Sequence, residues 1–388
     1  MKKHKKICFF ILLTLLLNIT GCTVYTEINN LPLILGVSID KKNNDKYILT
    51  VEVFKPAVSS KEKNTEINTE ILQAEGLTIL DAIRNLVIKL GKRAYWTHLK
   101  VFIISKNIAD EGISPILDMF NRNAHIRKEF PVLIANDENA YDIFYKGKEK
   151  LKEPVSIFLN DTVKSVDKVS KYDYVKFYEL IDDISSEGQN LVLPLINMDS
   201  MEDEKIPLVY GLAVFKKDKM VGILDSNESK TLRLIKNKEK GGALIVQWSE
   251  NNEQQNVTLG IIKSKTKLQL LYDEKNLNIN IKTTSITEIV EIMNYKIDVL
   301  EENGRENLKK EAENKIKKDI ETLLFKLQHE LECDAIGIGK NIKEKHPNVW
   351  KKYENNWSNA FVSIQFNISV DVEIKGTASI SEQLKVED

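Results

Sequence analysis

Residues 306–332 read ENLKKEAENKIKKDIETLLFKLQHELE, and this stretch decides the fold of the C-terminal part of the chain. Its apolar residues recur at intervals of four and three, the spacing that places side chains on one stripe of an α-helix. Two partners for the stripe are open, a second helix in a coiled coil or a neighbouring sheet, and we favour the sheet. The stripe consists of Leu308, Ala312, Ile316, Ile320, Leu323, Leu327 and Leu331.

The sequence on either side of this helix alternates between apolar and polar residues. The runs 257–273, 277–292 and 360–380 all show this period of two, which is typical of strands with one buried face. We therefore expect residues 256–388 to form a C-terminal domain in which an antiparallel sheet packs against one long amphipathic helix.

Upstream, short strands and helices follow one another. Thr78 is placed to cap a helix over 79–91, which ends at Gly91. The acidic, turn-like residues 198–207 suggest a boundary. The fold class is therefore α+β, with three mixed α/β domains at 22–200, 201–255 (a small α+β middle domain) and 256–388. The predicted strands before the boundary are 31–40, 46–56, 98–105, 130–136 and 191–197.

The first residues form a targeting segment. Lysines at positions 2, 3, 5 and 6 precede an apolar run over 7–18, which is shorter than the ~20 residues that span a bilayer. Residues 19–22, Ile-Thr-Gly-Cys, resemble the bacterial lipobox. That resemblance implies a signal peptide over 1–21 and a diacylglyceryl group on Cys22, the N-terminus of the mature chain. The alternative is an uncleaved anchor helix with an incidental cysteine.

Composition excludes some classes of protein. The chain has 56 Lys+Arg and 57 Asp+Glu, and the four lysines of residues 1–21 leave with the signal. The mature chain is therefore slightly acidic, which argues against a nucleic-acid partner. Only Cys333 remains free after Cys8 is removed and Cys22 is lipidated, so no intrachain disulfide forms. We expect Cys333 to be a buried, inert thiol.

No catalytic or metal-binding pattern stands in its proper context. The GIGKN stretch at 337–341 follows a helix rather than a strand, so a turn that ends the helix is favoured over a phosphate-binding loop. The histidines are scattered, and no Cys/His cluster has zinc-ligand spacing. The sequence therefore predicts no enzyme activity, no metal and no cofactor.

Several blocks together resemble one family. They are LPLILGVSID (31–40), GKRAYWTHLKVFIISKNIADEGI (91–113), FNRNAHIRKEFPVLIA (120–135), YGLAVFKKDKMVGIL (210–224) and DAIGIGKNIKEKHPNVWKKYENNW (334–357). In this order, after a lipobox, they resemble the GerC-type (Ger(x)C) spore germination lipoproteins, the C subunits of nutrient germinant receptors. The resemblance implies a non-catalytic protein on the outer face of the spore inner membrane, acting with two membrane-embedded subunits, A and B. It leaves open whether this subunit contacts the nutrient.

The blocks supply candidate partner-contact residues, each with a structural alternative. Trp96 and His98 either pack at a strand entrance, with His98 donating to a backbone carbonyl, or contact a partner. Arg122 and Arg127 either contact a partner or form a local ion pair with Asp118 or Glu129. The aromatic pair Trp350 and Trp357 either covers the last sheet or forms an exposed patch.

A second function remains open, that of a solute-binding lipoprotein that feeds a transporter. That class requires two similar α/β lobes with a cleft between them. A third, an envelope hydrolase, requires a catalytic cluster.

Overall fold

In a computed structural model of the chain, the described residues are 31–42, 45–55, 68–137, 139–201, 204–250, 253–273, 276–293 and 302–377. The predicted signal peptide and Cys22 lie outside these residues. Within them, none of the helices is both long and apolar enough to cross a bilayer.

The first part of the chain builds an eight-stranded sheet in the order β3-β2-β1-β4-β5-β6-β7-β8. Strands β1, β4, β5 and β6 are parallel neighbours, and the outer strands join them antiparallel. The strands are β1 (Leu33–Lys41), β2 (Tyr47–Lys55), β3 (Asn68–Gly76), β4 (Val101–Ser105), β5 (Val132–Ala135), β6 (Val192–Met201), β7 (Glu204–Lys216) and β8 (Lys219–Leu224).

Helices cover both faces of this sheet, so its central strands are buried throughout. Thr78 accepts a hydrogen bond from the Asp81 N–H, and Gly91 ends the first helix in the left-handed conformation (φ 66°), which confirms the predicted helix limits. The helices are α1 (Ile79–Leu90), α2 (Lys106–Glu111), α3 (Ser114–Arg122), α4 (Tyr141–Lys150), α5 (Val155–Lys164), α6 (Val166–Val169) and α7 (Phe177–Ile184).

Two buried carboxylates of the sheet hold the N-termini of two helices. Asp40 of β1 accepts hydrogen bonds from the Ala140 and Tyr141 N–H groups, at 2.6 and 3.1 Å, at the start of α4. Glu52 of β2 accepts hydrogen bonds from the Val155 and Ser156 N–H groups, at 3.0 and 2.8 Å, at the start of α5. These first-turn N–H groups have no partner within their own helices, so the carboxylates satisfy donors that burial would otherwise leave unpaired.

The Asp40 carboxyl makes stability depend on pH. Burial raises its pKa to about 7, although the two N–H donors act in the opposite direction. Because this value lies above the unfolded one, the group's stabilising contribution is complete below about pH 4 and is lost as pH rises through about 7. Asp40→Asn is therefore expected to flatten the fall in unfolding free energy over this window, by about 4 kcal/mol at most.

Chemical denaturation at a series of pH values measures this effect. The matched control is Asp45→Asn, because Asp45 follows closely in the chain but its side chain is 87% exposed. A variant and a wild-type curve that fall in parallel between about pH 4 and 7 would show that Asp40 does not carry the pH dependence.

The second part of the chain forms a four-stranded sheet in the order β12-β11-β10-β9. Its strands are β9 (Ala243–Glu250), β10 (Glu253–Tyr272), β11 (Leu277–Met293) and β12 (Gln365–Thr377). Helix α8 (Ser226–Ile235) precedes the sheet. The long helix α9 (Glu302–Phe325), extended by a π-helical turn over Lys326–Glu330, packs against β9 and β12.

The predicted helix stripe is buried against this sheet. Its first six residues are fully buried and Leu331 is partly buried. This confirms the sheet as the partner of α9. The prediction of a fully antiparallel sheet was wrong in one place, because β12 runs parallel to β11. Helices α9, α10 (Ile338–Lys345), α11 (Pro347–Tyr353) and α12 (Trp357–Val362) return the chain to the starting end of β11, so β12 takes the same direction.

Residues 201–255 have no sheet of their own in the described structure. Strands β7 and β8 continue the large sheet beside β6, whereas β9 pairs with β10 in the small one. The mixed α+β class is observed. The division into three domains stays a prediction.

Candidate functional site

The turn that follows α9 is organised around the carboxylate of Asp334, which is 1% exposed. Its Oδ1 accepts hydrogen bonds from the Gly337 and Ile338 N–H groups, at 2.8 and 3.0 Å. Its Oδ2 accepts from the Gly339 N–H at 2.8 Å and from the Trp357 indole at 3.1 Å. Four donors thus converge on one buried carboxylate at the start of α10.

This turn also binds the loop that leads into β6 of the large sheet. The Asn190 N–H donates to the Asp334 carbonyl, and the Asp334 N–H donates to the Asn190 side-chain oxygen, each at 2.8 Å. The Lys340 N–H donates to the Gly188 carbonyl at 2.8 Å. We call residues 188–190 and 334–340, with Trp357, the Asp334 junction. It joins the loop before β6 to the C-terminal half of the chain.

Close packing at the Asp334 junction requires glycine at two positions. A Cβ at Gly339 would lie 2.7 Å from the Gly188 Cα and 2.6 Å from a ring carbon of Trp357. Gly188 also has a φ of 72°, which other residues seldom adopt. The two backbones are therefore in direct contact, with no side chain between them.

The chemistry of the Asp334 junction is that of a structural site. Burial raises the pKa of Asp334, and the four donors act against that rise. Both carboxylate oxygens already accept two hydrogen bonds each, whereas a general base needs a free oxygen to take a proton from its substrate. The neighbouring Cys333 is fully buried, and burial raises the pKa of its thiol to about 11, so the thiol stays protonated and unreactive at neutral pH.

A second contact between the two halves surrounds Arg233 of α8, which is 2% exposed. Its guanidinium bonds to Asp173 at 2.9 Å and to Asp167 at 3.2 Å, both from the α6–α7 region. Burial alone would raise the pKa of Asp173, but the charges of Lys238 and Arg233 outweigh it and lower that pKa. The buried cation is thus bound by two acids of the first half, and Glu239, which follows in the chain, lies 3.8 Å from the same guanidinium.

The two C-terminal tryptophans are interior residues. Trp350 and Trp357 are 3% and 9% exposed, and their ring centroids lie 5.3 Å apart. They cover the small sheet and the Asp334 junction, which matches the covering alternative for this aromatic pair rather than an exposed patch.

The earlier candidates divide between interior and surface. Trp96 is buried, and its ring meets Phe120 edge-on with centroids 6.4 Å apart, so it is a packing residue. His98 is exposed, and its ring centroid lies 6.2 Å from that of Tyr95. Among the described residues it donates to no backbone carbonyl. Partner contact at these positions stays a prediction.

The arginine candidates lie on the surface. Arg122 bonds to Asp118 at 2.7 Å, one of the two ion pairs that the sequence offered. Arg127 is exposed. Within the described ranges, no group of three or more His, Cys, Asp or Glu side chains is arranged to hold a metal ion.

The sequence alone did not assign roles to Asp334, Asn190, Glu52, Asp40 or Arg233. A local signal existed only for Asp334, since an aspartate three and five residues before glycines is typical of a turn in which the carboxylate binds backbone N–H groups. The partners of the other four are distant in sequence and left no local pattern.

Both halves of the chain match known protein families. Residues 24–198 match the family described as "Spore germination protein N-terminal domain", and residues 210–378 match "Spore germination B3/ GerAC like, C-terminal". The chain belongs to this family of GerAC-like spore germination proteins. Asn190 and Asp334 lie in different matched segments, so the Asp334 junction joins the two segments.

Relatives and a solved structure agree with this membership. The chain is 25% identical to spore germination protein B3 of Bacillus subtilis (strain 168), covering 94% of this chain and 96% of that protein. It is 22% identical to spore germination protein GerQC of Bacillus cereus, covering 95% and 98%. The crystal structure of the GerBC protein aligns with a TM-score of 0.58 at 21% identity, covering 88% of this chain and 97% of that one. This likeness supports the mixed α+β fold.

Proposed function

We propose that the chain is the non-catalytic, lipid-anchored C subunit of a nutrient germinant receptor, which acts with two membrane-embedded subunits to trigger spore germination. The observation that carries the proposal is the match of both halves, in order, to spore germination families. The relatives named above align over nearly all of this chain and of their own length, so the proposal does not rest on one shared module.

The non-catalytic role is supported by the saturated Asp334 carboxylate and the buried Cys333 thiol. The carboxylate oxygens accept hydrogen bonds from within the fold, and the thiol is buried and protonated, so neither group is available to a substrate. On this reasoning the subunit acts through contacts, and the Asp334 junction keeps its two halves in a fixed relation. We assign the nutrient-sensing or transport step to its partners.

The location that we propose is the outer face of the spore inner membrane. The basic segment, the apolar run and the lipobox at Cys22 support it. An anchor of two or more acyl chains is sufficient for stable residence at a bilayer, whereas one chain alone binds marginally.

A solute-binding lipoprotein is less consistent with the architecture. Such proteins need two similar lobes, whereas here the sheets have eight and four strands in unlike orders. The family membership also favours a spore germination protein over a solute-binding lipoprotein.

The anchor and the receptor role are tested together by Cys22→Ala in spores. We expect the variant to lack the acyl mass, to leave the membrane fraction and to weaken the response to one class of nutrient, while other nutrient routes still work. Tagged wild-type protein should copurify from spore membranes with two multi-pass proteins.

The control is Cys333→Ala, which removes the other thiol of the mature chain but leaves the lipobox intact. A Cys22→Ala protein with unchanged mass and unchanged membrane retention would disprove the anchor. A lipidated protein that copurifies with no multi-pass protein would disprove the receptor role alone.

A further inference from the structure

The outer face of the four-stranded sheet carries a group of lysines. Along β10, Ser264, Thr266 and Leu268 point towards the protein, so the alternating residues point outward. The outward residues include three lysines, and β11 adds a fourth beside them. These four exposed residues, Lys263, Lys265, Lys267 and Lys282, are called the lysine face. Among the described elements, none covers it.

The lysine face has no internal charge compensation. None of its four ammonium groups has an ion pair or a side-chain hydrogen bond with another described residue, whereas Lys315 of α9, for example, is bound by Asp319 at 2.8 Å. Lys267 and Lys282 are direct cross-strand neighbours in the β10–β11 register. Like charges in this arrangement destabilise a sheet, so the fold alone gives no reason for it.

Acidic residues border the lysine face but do not lie between its lysines. Glu288 of β11 lies at one end, opposite Gly260 of β10. Asp371 and Glu373 of β12 are opposite Thr284 and Ile286 of β11, so β11 separates them from β10. Asp371 is also within 3.6 Å of the Lys309 ammonium of α9. Positive charge is therefore concentrated over β10 and the adjoining part of β11.

The surroundings of the lysine face are partly aliphatic. Its four side chains, with Thr284 and Ile286, line a shallow cavity of about 340 Å³. Ile245, Ile262 and Val290 on the same sheet are exposed by 57%, 47% and 57%. Ammonium groups bordered by exposed aliphatic side chains are the combination that binds the interface of an anionic bilayer.

We propose that the lysine face binds the anionic phospholipid headgroups of the membrane on which the protein resides, and so turns the small sheet towards the bilayer. The inference rests on the proposed membrane location. Nine peptide bonds link a lipidated Cys22 to Leu31, a reach of about 30 Å, so the anchor would hold the protein close to the surface. For an anchored protein, binding of the lysine face to headgroups is effectively an intramolecular step, so a low intrinsic affinity is sufficient.

The test uses a chain of residues 23–388, which lacks the lipid but retains every described element of both sheets. Its binding is measured by flotation with vesicles of phosphatidylcholine alone or mixed equally with phosphatidylglycerol. We expect binding to the mixed vesicles only, weakening as salt is added. Replacing all four lysines of the face by glutamine should reduce the affinity about a hundredfold or more, since each lysine near an anionic surface contributes about a fivefold factor.

Matched variants separate the lysine face from net charge. The control replaces four exposed lysines of other surfaces by glutamine, Lys152, Lys219, Lys345 and Lys351, with the same loss of charge. It should bind the mixed vesicles nearly as well as the wild type. The single change Lys267→Glu places an acid opposite Lys282 and should raise or preserve the Tm while it weakens vesicle binding.

Two results would overturn the assignment. One is equal binding of the wild type and of the lysine-face variant to the mixed vesicles. The other is binding of soluble polyglutamate, lost in the lysine-face variant, with no binding to either vesicle, which would assign the surface to an acidic protein instead. Because this chain has no lipid, neither result depends on whether Cys22 is acylated.

Discussion

Replacing Asp334 by alanine is expected to lower the free energy of unfolding by about 4 kcal/mol or more. The change leaves four donors without their acceptor, namely the N–H groups of Gly337, Ile338 and Gly339 and the indole of Trp357. Each buried donor left unpaired costs about 1–3 kcal/mol.

Chemical denaturation followed by the emission of the four tryptophans, Trp357 among them, measures this loss. The free energy of unfolding of Asp334→Asn should lie between those of the wild type and the alanine variant. An amide keeps one acceptor oxygen, but its NH₂ group faces the donors that the second carboxylate oxygen accepted from. Asp118→Ala is the control, since Asp118 is an exposed partner of Arg122 and its loss should hardly change stability. An Asp334→Ala protein as stable as this control would mean that the junction contributes little to the fold.

The elements of this fold could be predicted where the signal is local. The stripe of α9 was visible because a helix repeats every 3.6 residues, and Thr78 and Gly91 marked the ends of α1 by their backbone chemistry. The alternation of apolar and polar residues in β10 and β11 likewise indicated that each strand buries one face. Each of these signals lies within about twenty residues of chain.

The arrangement of those elements could not be predicted, because it depends on contacts between distant residues. The direction of β12 is set by the path of four helices, and the pairing of β9 with β10 depends on contacts that no local pattern indicates. The Asp334–Asn190 bond spans 144 residues. The spacing of Trp350 and Trp357 was compatible with a cover and with a patch, and the burial of both rings distinguishes the two.

Glu52 provides the second large effect, and two of its three partner residues, Val155 and Ser156, lie more than a hundred residues away in the chain. Its Oε1 accepts from the Val155 N–H and the Thr69 hydroxyl, both at 3.0 Å, and its Oε2 accepts from the Ser156 N–H at 2.8 Å and from the Ser156 hydroxyl. Glu52→Ala removes all four acceptor contacts. We expect a loss of about 3 kcal/mol or more in unfolding free energy, because the first two N–H groups of α5 lose their partner.

The same measurement distinguishes this role from a general effect of losing a carboxylate from the sheet. Glu70→Ala removes an acid from the neighbouring strand β3, where Glu70 is 42% exposed and pairs with Lys55, so stability should barely change. Glu52→Gln keeps one acceptor oxygen and should lose less than Glu52→Ala. If Glu52→Ala and Glu70→Ala unfold at the same denaturant concentration, α5 is held by apolar packing such as that of Leu159 rather than by the carboxylate.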